Sequence, residues 1–278
     1  MPRLIETAYA KINLALHVRR RRDDGYHDLE TLFAFAEDGD ILSVEPADGI
    51  WLSVIGPFGQ NLGTSDNLVT RTASLMKSYF GVGQGAAITL DKRLPVASGI
   101  GGGSADAAAT ARLLRRLWSI DAADTELEQL LAPLGADIPA CVQSTTVFGG
   151  GTGTMLQKVR DDDFAGRYVL LVNPLQSVAT GSVFKTWDGL DRGALDITDP
   201  WQATLKGRND LETPAISICP DIKLVLDILA RSKADLVRMS GSGATCFAVY
   251  TNATERDAAL GAVAQAHPEY WTMASCLR

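Results

Sequence analysis

The residues best placed to do chemistry form a glycine-rich segment, residues 94–106, between a predicted strand and a predicted helix. Four glycines within 99–103 allow the backbone to approach a ligand closely and to adopt positive φ. The helix that begins near Ser104 adds N–H groups without intrahelical partners and the positive end of its dipole. A glycine loop followed by a helix start is typical of an anion site, and phosphate is its usual occupant.

Two common phosphate-binding motifs do not fit this segment. A P-loop needs Lys and then Ser or Thr after its last glycine, whereas Ser104 and Ala105 follow Gly103. A dinucleotide fingerprint needs a glycine where Ser104 stands, and the segment lies far from the first predicted strand. The alternative interpretation is a flexible turn in which Ser104 is an ordinary helix N-cap.

The rest of the chain predicts the α+β elements that must position this loop. Apolar and polar residues alternate at 12–18 and 41–44, which predicts strands, with a turn at 23–25. Further helices are predicted at 67–80, 104–118, 221–231 and 254–266, and further strands at 86–90, 168–173, 236–239, 245–250 and 270–277. Another helix is predicted from Thr125 to about Gly135, because Thr125 and Glu128 have the spacing of a capping box.

Two successive groupings of strand, helix and strand predict two α+β domains. The chain has 278 residues, which agrees with two domains at roughly 150 residues each. We expect a first domain at 1–160 and a second at 161–278, with the polar run 160–163 as the linker.

Composition narrows the class of protein. Apolar residues make up 46% and charged residues 21%, as in soluble globular proteins. The formal net charge of −7 argues against a nucleic-acid binder, although local donors can still hold a small anion. No apolar run reaches the roughly 18 residues of a membrane helix, and charges near the start argue against a secretory signal.

Cysteine and histidine usage argues against a metal site. The four cysteines form no C-x-x-C pair, and the chain has three histidines, so neither a zinc site nor a disulfide framework is expected. We therefore expect reduced thiols and a cytoplasmic setting. Monomer and homodimer both remain open.

Six ordered segments identify the chain as similar to a known family. The glycine segment resembles the phosphate loop of the GHMP kinases, which include galactokinase, homoserine kinase and mevalonate kinase. Within that family, the Gly25-Tyr26-His27 segment is particular to a branch that phosphorylates a cytidine diphosphate-linked polyol. The matching segments are 10–14, 24–33, 95–108, 134–139, 208–212 and 239–244.

The resemblance implies a fold and a reaction. The N-terminal domain would resemble the ribosomal protein S5 domain 2-like fold and the C-terminal domain a ferredoxin-like sandwich, with the site in the cleft between them. ATP would phosphorylate the 2-hydroxyl of 4-diphosphocytidyl-2-C-methyl-D-erythritol, an intermediate of the non-mevalonate route to isoprenoids.

The resemblance also implies two catalytic residues. Asp137 would be the base for the acceptor hydroxyl, and Lys11 would offset charge at the transferred phosphoryl group. Taken without the resemblance, Asp137 followed by Pro139 is typical of a helix N-cap, and Lys11 in a strand is typical of a solvated outward residue.

The expected nucleotide contacts centre on the glycine loop. The residues expected to bind ATP are Pro95, Gly99, Ile100, Gly101, Gly102, Gly103, Ser104, Asn67 and Lys92. Asp66 is considered with Asn67 for the adenosine part. Mg²⁺ is expected to bridge phosphate oxygens with help from Ser104, and no firm protein metal ligand is assigned.

The expected acceptor contacts are aromatic and polar. Tyr26 and Phe184 would stack on cytosine, and His27 would pair with its edge through a ring nitrogen or backbone amide. Asn13 would contact the erythritol or phosphate part, and Thr180 is expected to bind the acceptor. The turn at 240–243 is considered as a second glycine turn for the acceptor's phosphates, and it would also join two strands.

Three other functions fit the residues less well. The same fold acting on homoserine or mevalonate would need no aromatic shelf for a base. A regulatory nucleotide-binding protein could lack Asp137 or Lys11, and both are present. A dinucleotide oxidoreductase needs an early glycine fingerprint, which is missing.

Two further features are interpreted as structural. The arginine run 19–22 is interpreted as a hairpin end, and the glycines at 149–153 as a wide turn.

Overall fold

The computed structural model describes residues 3–60, 62–63, 67–160 and 162–278. The strands are β1 (Leu4–Arg21), β2 (His27–Ala47), β3 (Ile50–Ile55), β4 (Gly85–Asp91), β5 (Val147–Gly150), β6 (Met155–Lys158), β7 (Tyr168–Asn173), β8 (Leu236–Met239), β9 (Cys246–Tyr250) and β10 (Trp271–Cys276). The helices are α1 (Leu68–Tyr79), α2 (Gly102–Leu117), α3 (Asp124–Leu131), α4 (Ile138–Gln143), α5 (Thr180–Thr186), α6 (Pro200–Lys206), α7 (Glu212–Ile218), α8 (Asp221–Ala230) and α9 (Ala253–Ala266).

Contacts divide the chain into two compact units. Unit 1 comprises 1–10, 38–96 and 101–144, and unit 2 comprises 11–37, 97–100 and 145–278. The long strands β1 and β2 each contribute residues to both units. This division differs from the expected domain boundary at 160/161, which stays a prediction. The expected linker includes Asp161, which lies outside the described residues.

Unit 1 places helices against paired strands. The second half of β2 pairs with β4 in antiparallel register, from Ile41 opposite Asp91 to Ala47 opposite Gly85, and β3 pairs with β4 in parallel. Helix α2 is rich in alanine and leucine, is buried on all sides over residues 105–111, and packs against α1 and α4. The small alanine side chains allow these helices to approach closely, and this packing fixes the start of α2.

Unit 2 contains a four-stranded antiparallel sheet in the order β10-β7-β9-β8. Every residue of β9 is buried, and helices α8 and α9 pack against the sheet. The first half of β2 pairs with β5, which forms a hairpin with β6. Leu16 and Val18 of β1 join the apolar core of this unit, so the polar residues that precede them on β1 are held in place.

The structure confirms most of the predicted elements to within one or two residues. Helix α1 begins after Asn67, whose side chain accepts a hydrogen bond from Val69 N. The turn at 240–243 does connect two antiparallel strands, and the glycines at 149–153 do lie at a hairpin turn. In the arginine run, Arg20 pairs with Asp28 and Arg22 with Asp24, as expected of a hairpin end.

Two helices begin slightly earlier than predicted, and the predicted capping box is wrong. Helix α3 begins at Asp124 with Ala123 at its N-cap and no side-chain cap, so Thr125 lies inside the first turn and forms no capping box. Asp124 and Glu126 instead place negative charge near the positive end of the helix. Helix α2 begins at Gly102, two residues before the predicted start.

No helix within the described ranges is both long and apolar enough to cross a membrane.

Candidate active site

The start of α2 in unit 1 has the features of an anion site. Gly101 holds the N-cap position in the left-handed conformation, at φ 63°, and no side chain caps the helix. The first turn contains Gly102, Gly103 and Ser104, of which Gly103 is exposed. Since Ser104 lies inside this turn, its interpretation as the N-cap is wrong. The first-turn N–H groups and the helix dipole together suit a phosphate.

A buried charge cluster lies beneath this turn. Lys92 Nζ lies 2.5 Å from Asp40 Oδ2 and 2.7 Å from Asp106 Oδ2, and all three side chains are buried. A β-carbon added to Gly102 would lie 3.1 Å from Lys92 Nζ, so the glycine permits this close packing. The ammonium of Lys92 is engaged by carboxylates, and its expected contact with ATP stays a prediction.

The cluster shifts the pKa values of both Asp106 and Lys92. Burial raises the pKa of Asp106 to about 7, with the negative charge of Asp40 adding to this and Lys92 opposing it. Burial alone would lower the pKa of Lys92, but the charges of Asp106 and Asp40 outweigh it and raise that pKa. Asp40 also accepts hydrogen bonds from the backbone N–H groups of Arg93 and Leu94, which lead into the glycine segment.

Unit 1 brings the end of the glycine segment close to the segment that precedes α4. A β-carbon on Gly135 would lie 3.8 Å from Ser104 Oγ, and Asp137 follows two residues later. Asp137 is half-buried at the N-cap position of α4, with Pro139 in the first turn, but its side chain makes no capping hydrogen bond. Asp137 therefore stands at the N-cap position, as the sequence predicts, but its side chain does not cap the helix.

The first glycine of the segment is held by unit 2. Gly99 has φ 78°, and an added β-carbon would lie 2.5 Å from Ser240 O and 2.7 Å from Gly243 O. Ser240 Oγ donates to Gly99 O at 2.9 Å, and Thr245 N donates to Ser98 O. The turn at 240–243 thus packs directly on the glycine segment, where only glycine fits.

Lys11 is buried, so its interpretation as a solvated outward residue is wrong. It is 3% exposed, its backbone N–H donates to Ile100 O, and its ammonium donates to Asn13 Oδ1 at 2.9 Å. The ammonium also lies 5.2 Å from the centre of the Phe33 ring, a distance at which a cation is attracted to the ring face. Burial together with polar partners is typical of a functional lysine.

An aromatic group in unit 2 surrounds His27. The ring centres of His27 and Phe184 lie 4.8 Å apart, and Trp187 meets His27 edge-on at 5.7 Å. Tyr26, the neighbour of His27, is 65% exposed. Arg21 Nε donates to His27 Nε2 at 3.4 Å. Burial lowers the pKa of His27, and the positive charge of Arg21 lowers it further, so the ring is neutral near pH 7.

The remaining candidates occupy more ordinary positions. Thr180 and Ser242 share a hydrogen bond between their hydroxyls at 2.9 Å. Asn67 caps α1, and Asp66 lies outside the described residues. Pro95 and Ile100 are buried beside the accessible glycines.

The candidate residues are divided between the two units, and their assembly into one site stays a prediction. Unit 1 holds Asn67, Lys92, Pro95, Gly101, Gly102, Gly103, Ser104 and Asp137, whereas unit 2 holds Lys11, Asn13, Tyr26, His27, Gly99, Ile100, Thr180 and Phe184. Sequence reasoning missed Thr31, Trp187, Asp40 and Asp106. Thr31 and Asp106 lie inside the matched segments, but their contacts depend on residues far away in the chain.

The described residues contain no group of three or more His, Cys, Asp or Glu arranged to hold a metal ion. Mg²⁺ in nucleotide enzymes is held mainly by phosphates with one or two protein oxygens, so such a cluster is not required. The hydroxyl of Ser104, in the first turn of α2, is of the kind that fits this pattern.

Comparison with known proteins identifies the class. The family model described as GHMP kinases N terminal domain matches residues 67–145, and the one described as GHMP kinases C terminal matches 201–269. A homoserine kinase from Cytophaga hutchinsonii shares the fold, with a TM-score of 0.73 at 17% identity over 98% of this chain and 95% of that one. The chain belongs to the GHMP kinase family of ATP-dependent small-molecule kinases.

Relatives with about half of their residues identical to this chain carry the name of one family member. It is 53% identical to the 4-diphosphocytidyl-2-C-methyl-D-erythritol kinase of Rhizorhabdus wittichii, over 98% of this chain and 94% of that one. The protein of the same name from Sphingopyxis alaskensis is 52% identical, over 98% of both chains. A crystal structure of 4-(cytidine 5'-diphospho)-2C-methyl-D-erythritol kinase superimposes with a TM-score of 0.84 at 31% identity, over 99% of each chain.

Proposed function

We propose that this kinase transfers the γ-phosphoryl group of ATP to the 2-hydroxyl of 4-diphosphocytidyl-2-C-methyl-D-erythritol, in the non-mevalonate route to isoprenoids. The observation that carries this proposal is the aromatic group around His27, which lies in the same unit as the buried Lys11. A nucleobase needs such a stacking surface, whereas a small acceptor such as homoserine does not. The names of the relatives support the same substrate.

In this proposal the acceptor's cytosine stacks against Tyr26 and Phe184 and pairs with His27. Tyr26 is exposed enough to meet a ligand, and Phe184 is already in ring contact with His27. Asn13 and Thr180 contact the polyol or diphosphate. ATP contacts residues 99–104 through backbone N–H groups, with Pro95 and Ile100 supporting the loop and with Asn67 and Lys92 on the adenosine side.

The chemical step forms one bond and breaks another. The 2-oxygen of the acceptor bonds to the γ-phosphorus, the bond from that phosphorus to the bridging oxygen of ADP breaks, and the hydroxyl proton passes to the Asp137 carboxylate. Lys11 offsets the negative charge that develops on the transferred group. The Ser104 hydroxyl would help to hold Mg²⁺, which would neutralise phosphate charge when bound.

The first test is ADP release from ATP and Mg²⁺ with three acceptors: the cytidylyl methylerythritol, homoserine and mevalonate. Turnover on the cytidylyl compound alone supports the proposal. Turnover on another alcohol keeps the kinase class and overturns the cytidine site. ATP binding without turnover on any acceptor overturns the proposed reaction.

The second test separates a base from a helix cap. Asp199 is a matched control for Asp137, because it is also an N-cap aspartate followed by a proline, and its side chain does cap α6 through Gln202 N. We expect Asp137→Asn to lower kcat by more than about 100-fold while the melting temperature stays close to that of the native chain. Asp199→Asn should cost stability and leave kcat unchanged. Near-normal turnover by folded Asp137→Asn would falsify the base assignment.

A further inference from the structure

A directional chain of hydrogen bonds links Lys11 to Thr31. Lys11 Nζ donates to Asn13 Oδ1 at 2.9 Å, and Asn13 Nδ2 donates to Thr31 Oγ1 at 2.8 Å. Thr31 Oγ1 then donates to Ala15 O at 2.7 Å. All of these groups lie in unit 2, on β1 and β2, and Thr31 is fully buried.

The polarity of every link is forced by the first one. An ammonium has three donors and no acceptor, so Asn13 must turn its oxygen toward Lys11. The amide nitrogen of Asn13 then faces Thr31, which must accept with its oxygen. The single hydroxyl proton of Thr31 is left for Ala15 O, which accepts it. A hydroxyl meets all three requirements at once because it accepts and donates through one atom.

The backbone around Asn13 is fixed separately. Asn13 N donates to Ser240 Oγ, so the main chain is anchored to the turn that packs on Gly99. Rotation about the side-chain bonds is therefore the remaining freedom of the Asn13 amide. Without Thr31 Oγ1, a rotated amide would point its N–H groups at Lys11, where two donors would face each other.

We propose that Thr31 is a positioning residue, which holds the Lys11 ammonium in its reactive place through the Asn13 amide. This inference rests on the proposed role of Lys11 in phosphoryl transfer. The methyl group of Thr31 has a different task, because it packs where a β-carbon on Gly149 would lie 3.3 Å away. The hydroxyl and the methyl group can therefore be removed one at a time.

The test compares Thr31→Val with Thr31→Ser, using steady-state kinetics with ATP, Mg²⁺ and the cytidylyl methylerythritol, together with melting temperatures. Valine keeps the shape and removes the hydroxyl, whereas serine keeps the hydroxyl and removes the methyl group. We expect Thr31→Val to lower kcat by at least roughly 10-fold, as for a displaced catalytic group, with little change in the KM for ATP. Thr31→Ser should keep kcat within about 3-fold of the native chain even where it melts lower.

The opposite ranking overturns the inference. If serine lowers kcat more than valine does, turnover follows packing rather than the hydroxyl, and Thr31 is only a structural residue. Equal kcat for both variants and the native chain overturns it as well.

A double-mutant cycle keeps this result separate from the proposed function. Lys11→Met alone should lower kcat by more than about 100-fold, and adding Thr31→Val to it should lower kcat no further. If Lys11→Met leaves kcat unchanged, the role proposed for Lys11 fails and the inference falls with it. If Lys11→Met is impaired but Thr31→Val adds its full effect in that background, the inference alone fails.

Discussion

Lys92 Nζ lies 2.7 Å from Asp106 Oδ2 inside unit 1, directly beneath the first turn of α2. Asp40 shares the same ammonium, so two buried carboxylates have one cation between them. The second oxygen of Asp106 has no hydrogen-bond partner among the described residues. The Asp106 carboxylate therefore lacks part of the hydrogen bonding that its ionised form would have in water. Burial disfavours the ionised form for this reason and raises the pKa of Asp106.

The first prediction concerns pH and stability. The pKa of Asp106 is about 7 in the folded chain against an ordinary value of 3.8, so between these pH values the folded chain binds more protons than the unfolded one. Its free energy of unfolding therefore falls as pH rises from about 4 to 7, relative to a chain without this group. The stability of Asp106→Asn relative to the native chain should rise progressively across this interval and level off only above about pH 8, because Asp106 is half titrated at pH 7.

Urea denaturation at closely spaced pH values measures this difference. Asp257→Asn is the control, since the Asp257 side chain is 57% exposed. A difference between Asp106→Asn and the native chain that is constant from pH 4 to 8 would show that Asp106 stays ionised in the fold.

The second prediction concerns the cation of the cluster. Lys92→Met removes the ammonium and leaves Asp40 and Asp106 buried together, so we expect a loss of about 3–5 kcal/mol in the free energy of unfolding at pH 8. Lys223→Met is the matched control, because Lys223 pairs with Asp227 on the surface at 56% exposure and should cost less than about 1 kcal/mol. Similar losses for both variants would contradict the buried pair as a major determinant of stability.

The elements were predictable wherever a local signal decided them. Asn67 caps α1 with its own side chain, and the continuous apolar runs of β7 and β9 match strands that are buried on both faces of a sheet. The start of α2 was misplaced because glycine is a poor helix former, so local propensity puts the boundary after Gly103. In the structure Gly102 packs over Lys92 and Gly103 over Leu68. These partners are distant in the chain, so the neighbouring sequence does not show this packing.

The sequence predicts which residue types belong to the candidate site, but not the contacts between their side chains. Lys11 in an alternating strand gives no local sign that Phe33 and Asn13 surround its ammonium. The link from Asn13 to Thr31 joins residues 18 positions apart on two strands, so it depends on strand pairing rather than on spacing. The same applies to Asp40 and Lys92, which are 52 positions apart.

The third prediction concerns the glycine segment. Gly99→Ala adds a β-carbon 2.5 Å from Ser240 O at a positive φ, so the segment must move, and we expect the Kd for the ATP analogue to rise on the order of 10-fold. Gly81→Ala is the control, since Gly81 has φ 63° but nothing within 4 Å of the added atom. Isothermal titration with a non-hydrolysable ATP analogue measures both variants. Native affinity in Gly99→Ala would show that the contact with Ser240 does not shape the ATP site.

The fourth prediction concerns the aromatic group. Phe184→Ala removes the ring 4.8 Å from His27, and the KM for the cytidylyl substrate should rise on the order of 10-fold, in line with the usual strength of base stacking. The KM for ATP should stay the same. Tyr79→Ala is the control for loss of an aromatic side chain, because Tyr79 is 57% exposed in unit 1. An equal rise in both KM values would point to a general disturbance of the fold.

The edge-on contact between Trp187 and His27 has a spectroscopic consequence. Indole emission responds to the polarity around the ring and is quenched by a neighbouring imidazolium. The lowered pKa of His27 keeps its ring neutral near pH 7, so we expect strong fluorescence from Trp187 at that pH. Acidification protonates His27 and should lower the fluorescence intensity of Trp187. Of the five tryptophans in the chain, this one lies where the cytosine of the proposed acceptor would bind, so a difference spectrum against Trp187→Phe gives a label-free optical signal for that subsite.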